Sequence, residues 1–218
     1  MDRWDFARRA FDEHFMPLRS AGYELERLTH AEAYWALHEV ELRAHFPPEV
    51  FFLLSEVRSA AEREGQARLA ETCAGEQLRD FTVVRQAGAL VAMFSGEQKS
   101  AGLYRMWHSN VHPAFRNKGV YRQILKSTIS YTRELGFDSI GSEHSPSNNA
   151  ILIAKLRAGF HIFGLEIDAG PGLSLLLRYF HNPEHRAAYQ LRCGDAALTP
   201  GLIGCAGGAW PKFRDQVR

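Results

Sequence analysis

The chain has 218 residues, with 26 Lys+Arg against 25 Asp+Glu and 45% apolar residues. That length fits one sizeable domain with appendages, large enough to bury a core without a metal or disulfide staple. A net charge of +1 argues against a global electrostatic grip on nucleic acid, so any bound anion is expected to be held locally.

Residues 1–20 read as a short amphipathic helix, with Trp4, Phe6, Phe11 and Phe15 set among charges. The run 23–30 alternates apolar and polar residues, as a strand does. Thr29 and the sequence after it predict a helix that Pro47–Pro48 ends, and a second helix follows over 48–65. After an Ala/Glu/Gly-rich stretch, DFTVVRQ and ALVAMFSG read as strands joined by a hairpin at Ala87–Gly88. LYRMWHSNV (103–111) is a further strand, stopped at Pro113.

From Asn117 onward, apolar residues fall on one face of a helix that Gly136 closes. Residues 137–145 then read as a strand and NNAILIAKLRAG as a helix ending at Gly159. FHIFGLEIDA and LSLLLRYF are strands about a Gly-Pro-Gly turn, and NPEHRAAYQLR is a terminal helix. Alternating strands and helices in the middle of the chain predict a mixed α/β fold with a β–α–β crossover.

Cys73, Cys193 and Cys205 form no CxxC pair and no ligand cluster, which fits a reducing cytoplasm better than a disulfide framework. No signal-like apolar core opens the chain, and its longest apolar runs, such as 172–177, are strand-sized. The expectation is a cytoplasmic protein with no membrane, nucleic-acid or metal partner.

The informative segment is SNVHPAFRNKGVYRQIL (109–125). A strand ends at Val111, and a short loop delivers Arg116, Asn117, Lys118 and Gly119 to a helix start. Backbone N–H groups at a helix N-terminus bind phosphate oxygens, and Gly119 lets the backbone approach them closely. Neither GxxxxGK[ST] nor GxGxxG is present, so a pyrophosphate ligand of a third kind is expected.

This segment resembles the acetyl-CoA motif of the GCN5-related N-acetyltransferase (GNAT) superfamily, Q/R-x-x-G-x-G/A. It stands here as Arg116-Asn117-Lys118-Gly119-Val120-Tyr121, with Tyr121 in place of the small last residue. A second block, SEHSPSNNAILIAKLRAGF, is similar to the family's strand, asparagine, short helix and Gly-Phe. The resemblance covers about residues 23–181 and leaves a helical extension (1–22) and a terminal helix and tail (182–218) outside.

The resemblance implies a mostly antiparallel central sheet flanked by helices, with splayed fourth and fifth strands, here 103–111 and 137–145. It implies acetyl-CoA as co-substrate, no metal, and direct transfer of acetyl to a primary amine of a small molecule or peptide. Asn110 and Val111 would pair with the pantetheine, and residues 116–121 would hold the pyrophosphate. Asn148 or Asn149 would meet the cofactor, although capping of the following helix is the simpler role for Asn148. Where many members carry a tyrosine this chain has Ala154 and Lys155, and Lys155 is a candidate for steadying a thiolate or a phosphate.

Candidate bases are Glu143, His144 and His108. Glu143 and His144 are consecutive, so a strand turns them to opposite faces. Tyr104 and Trp107 are left open between lining the acceptor side and packing internally, and the aromatics at 34, 35, 46, 51 and 52 read mostly as core. The terminal helix is a candidate for covering the sheet edge or meeting a second subunit. Two alternatives remain: a non-catalytic acyl-CoA-binding module, and another anion-binding α/β domain.

Overall fold

Ala87 and Gly88 both take positive φ, +48° and +78°. That backbone matches the right-handed twist of paired strands, and it folds β2 (Arg79–Gln86) onto β3 (Ala89–Ser100) as a hairpin. The computed structural model describes residues 5–45, 77–100, 102–168 and 172–192. The expected helix at 48–65, the aromatics at 46, 51 and 52, the three cysteines and the tail from 193 lie outside them.

In chain order come helices α1 (Asp5–His14) and α2 (Met16–Ser20), strand β1 (Glu24–Arg27) and helix α3 (Ala31–Glu41). Beyond β2 and β3 lie β4 (Leu103–Val111), α4 (Val120–Glu134), β5 (Ser139–His144), α5 (Asn149–Arg157), β6 (His161–Asp168), β7 (Gly172–Phe180) and α6 (Pro183–Arg192). Gly136 and Gly159 close α4 and α5 at φ +86° and +94°, a conformation that costs other residues more. His30, not Thr29, stands at the N-cap of α3, and no side chain caps that helix.

Among the described residues the strands form one seven-stranded sheet in the order β1-β2-β3-β4-β5-β7-β6, in which only the β4–β5 pair is parallel. Helix α4 is the crossover that a parallel pair needs. One face of the sheet meets α1, α2 and α4 around Phe11, Phe15, Phe94, Ile124 and Tyr131. The N-terminal helices thus share the main core. Tyr34 and Leu42 pack against Val83, Leu90 and Met93 on the α3 side.

Asp80 ties these layers together. Its buried carboxylate accepts from Arg27 at 2.7 Å, from the Tyr104 hydroxyl at 2.9 Å and from the Tyr131 hydroxyl at 3.1 Å. Burial pushes the carboxyl's pKa up, and the Arg27 charge and the tyrosine hydroxyls pull it back. A buried carboxylate is tolerable only with this many partners.

Gly96 lies against the Tyr104 ring, and a Cβ there would overlap the phenol that reaches Asp80. Gly96→Ala is therefore expected to destabilise the protein by about 1–3 kcal/mol, the usual range for overpacking. Urea unfolding followed by tryptophan fluorescence measures it; an unchanged midpoint would show that Tyr104 can yield.

Candidate active site

Strands β4 and β5 pair only at Leu103–Arg105 with Ser139–Gly141 among the described residues. Beyond that they part. Each is held by its outer neighbour, since β5 pairs with β7 along all six residues and β4 pairs with β3 up to Val111. The register of β3 on β4 slips between Ser95/His108 and Gly96/Met106, which leaves Trp107 as an extra residue on β4. Such a bulge bends its strand. The inner edges of 106–111 and 142–144 thus carry backbone groups without strand partners, as the splay expected from the resemblance requires. An extended ligand with amides can add to such an edge.

The loop at the end of β4 leads from this slot to the start of α4. His112 Nδ1 accepts from the Ala114 amide at 3.3 Å, and Pro113–Phe115 form a single 3-10 turn. Asn117 and Gly119 take positive φ, +62° and +81°, and aim the chain into α4. No side chain caps α4, and its first turn holds no acidic residue. Arg116 donates to the Val111 carbonyl at 3.2 Å, while Lys118 lies over the Phe115 ring at 5.0 Å. Val120 is buried, and the Tyr121 ring packs against the main core. The bulky residue in the motif's last position is therefore directed into the core.

The sequence-predicted side chains divide between two faces. Glu143 joins Arg105 in an ion pair of 2.6 Å, and Arg105 also lies over Trp107 at 4.0 Å. His144 points the other way, where its Nε2 is buried without a partner among the described residues. Burial and the neighbouring Lys155 charge lower its pKa to about 3. Asn148 caps α5, its Oδ1 accepting from the Ile151 amide at 3.4 Å, and Asn149 is the first helical residue.

His108 sits in a polar chain on the α3 face. Asn110 Nδ2 donates to His108 Nε2 at 2.7 Å and to His38 Nε2 at 3.1 Å. Both acceptor nitrogens are then unprotonated, so His108 carries its hydrogen on Nδ1 and donates to the Tyr34 oxygen at 2.6 Å. Burial, reinforced by His38, lowers the His108 pKa to about 3. The Asn110 side chain is thus committed to histidines. This chain joins residues more than seventy positions apart, and no local sequence signal announces it.

Lys155 is the most unusual group. Only 1% exposed, its amine donates to Met106 Sδ at 3.3 Å and lies 4.6 Å from the centre of the Phe160 ring. No carboxylate pairs with it among the described residues, and burial lowers its pKa from 10.5 to about 7. Met106 is the first residue of β4 beyond the stretch paired to β5, so the Lys155 amine lies beneath the point where the two strands part. No group of three or more metal-ligating side chains occurs among the described residues, and no described helix is long and apolar enough to cross a membrane.

A folded-state pKa below the ordinary value means that the folded chain resists charging Lys155. The penalty is absent above about 10.5, grows as pH falls and levels off near 7. Lys155→Met is therefore expected to stabilise the fold, by more at pH 7 than at pH 10. Thermal unfolding at both values tests this, and equal gains would contradict burial as the cause.

No protein-family model matches the sequence, and no curated protein matches it. Solved structures do match in fold. The ribosomal-protein alanine N-acetyltransferase of Escherichia coli is 17% identical, with a TM-score of 0.50 over 72% of this chain and 93% of that one. Ard1 of Thermoplasma volcanium is 16% identical, with a TM-score of 0.50 over 73% and 97%. An acetyltransferase of the GNAT family from Streptococcus pneumoniae is 11% identical, also at 0.50, over 73% and 99%. With its antiparallel sheet, single parallel pair, crossover helix and parted β4 and β5, the chain has the fold of the GNAT acetyltransferases.

Proposed function

We propose that the protein is an acetyl-CoA-dependent N-acetyltransferase acting on a primary amine of a small molecule or peptide. The observation that carries this reading is the slot between β4 and β5, which leads to an uncapped helix start lined with Arg116, Lys118 and Gly119. The residues present fit acetyl-CoA. Edge groups near Asn110 and Val111 that β5 does not pair suit the pantetheine amides, and the N–H groups of 119–121 suit the pyrophosphate. Scattered cysteines and near-zero net charge fit an enzyme working in the cytoplasm on a soluble amine.

Acetyl-CoA would supply an activated thioester. In a ternary complex the amine nitrogen bonds to the acetyl carbon, the carbon–sulfur bond breaks, and the amine gives up a proton. A backbone N–H near Val111 would stabilise the developing oxyanion. Lys155, with a pKa of about 7 beneath the slot, suits delivery of a proton to the departing thiolate. Glu143 and His144 remain the candidates for taking the amine proton, with His108 third because both its nitrogens are engaged.

One observation favours a second reading, a non-catalytic acyl-CoA-binding module. Glu143 and His108 are each held by neighbours in the free protein. Thiol release from acetyl-CoA with an amine library separates the two readings, and calorimetry with CoA tests both.

Gly119→Glu should lower CoA affinity by at least about a hundred-fold, because it places bulk and negative charge at the phosphate cradle. Unchanged affinity would remove the cradle assignment. Glu143→Gln and His144→Ala should slow turnover about ten- to a thousand-fold with CoA affinity kept. Normal rates in both variants would dismiss these bases.

A further inference from the structure

On the α3 face, beside the slot, lies a cavity of about 200 Å³ whose lining includes Trp35, Arg79, Phe81, Ser95, Glu97 and Trp107. Trp107 is the bulge residue of β4, so the cavity adjoins the point where β4 leaves β5. Trp35 and Trp107 are 36% and 54% exposed, an unusual concession for large apolar rings at a concave site.

The polar side chains of the lining are Arg79, Ser95 and Glu97. The Ser95 hydroxyl is 3% exposed and completes no hydrogen bond of ordinary geometry, although it lies close enough to Tyr34 to offset part of that phenol's rise on burial. The Glu97 carboxylate has only a 4.0 Å contact with Arg79. On the far side of Trp107, Arg105 is neutralised by Glu143. The cavity therefore offers aromatic walls, a buried hydroxyl and a carboxylate whose long contact with Arg79, also in the lining, an ammonium can replace.

We propose that this cavity is the acceptor subsite and takes a primary amine carried on a flat aromatic body. The proposal rests on the acetyl-transfer reading and names the substrate class for that site. The ring packs against Trp35, Phe81 and Trp107, and the arriving ammonium is met by Glu97 and the Ser95 hydroxyl. A volume of about 200 Å³ admits one ring with a short aminoalkyl arm.

The test uses 2-phenylethylamine, cadaverine and a tripeptide with a free N-terminus, with thiol release from acetyl-CoA as the readout. The expected KM for phenylethylamine is at least about ten-fold below the other two, and Trp107→Ala raises it about ten-fold while kcat changes little. Glu97→Gln weakens binding of phenylethylamine and leaves CoA affinity unchanged. Equal or better use of cadaverine or the peptide, or an unmoved KM in Trp107→Ala, overturns the proposal. Calorimetry of phenylethylamine on the CoA-saturated protein decides the matter without turnover, since no binding, or equal binding in Trp107→Ala, also overturns it. Failure of CoA itself to bind would instead remove the acetyl-transfer reading, and phenylethylamine titrated into the free protein would still decide whether the cavity is an aromatic-amine site.

Discussion

Leu103, Tyr104 and Arg105 hold β4 to β5, and the rest of the site depends on that junction being short. Parallel strands joined by a crossover helix ordinarily pair along their length, because an unpaired edge leaves backbone groups exposed. Here the outer neighbours claim each strand, and the Trp107 bulge turns β4 away. The junction must then resist prying. Tyr104, at its centre, is pinned by Asp80, which also holds Arg27 and Tyr131. One carboxylate thus clamps β1, β2, β4 and α4 at the closed end of the slot, where no chemistry is expected. Its interactions are mutual: the tyrosines satisfy the carboxylate, and the carboxylate fixes the rings that fill the core.

The open end follows the opposite rule. Lys155 is buried and His144 half-buried, neither has an anion among the described residues, and desolvation drives both toward neutrality. A folding sequence with no other demand would place Met or Leu beside Met106 and Phe160. Local rules broken at one place, with well-satisfied partners elsewhere, are the expected signature of a functional site. The α3 face differs again. His108, His38 and Asn110 satisfy one another there as neutral groups, which gives that side polarity without charge.

Much of this arrangement was legible in the residues, because the signals were local. Ala87–Gly88 marked the hairpin, Gly136 and Gly159 closed the helices, and Val111, Pro113 and Gly119 marked the passage from strand to loop to helix. The alternation of Glu143 and His144 followed from strand geometry alone. What stayed hidden depends on contacts across long sequence distances. Tyr34 meets His108 across 74 positions, and Asp80 meets Tyr131 across 51. Spacing put Tyr104 and Trp107 on opposite faces of β4 but did not say which face was the core. The structure separates them, with Tyr104 buried and Trp107 exposed.

The bulge also explains how one strand serves two faces. Without the extra residue, alternation would fix every side chain of β4 from Tyr104 to Val111 in a single phase. The slip at Trp107 resets that phase midway. Tyr104 and Met106, before it, point into the core that also holds Phe160, where Lys155 waits. After it, His108 and Asn110 point toward α3 and its histidine. A single inserted residue therefore turns β4 away from β5, sets Met106 and Lys155 on one side and the neutral polar chain on the other, and leaves its own indole at the boundary.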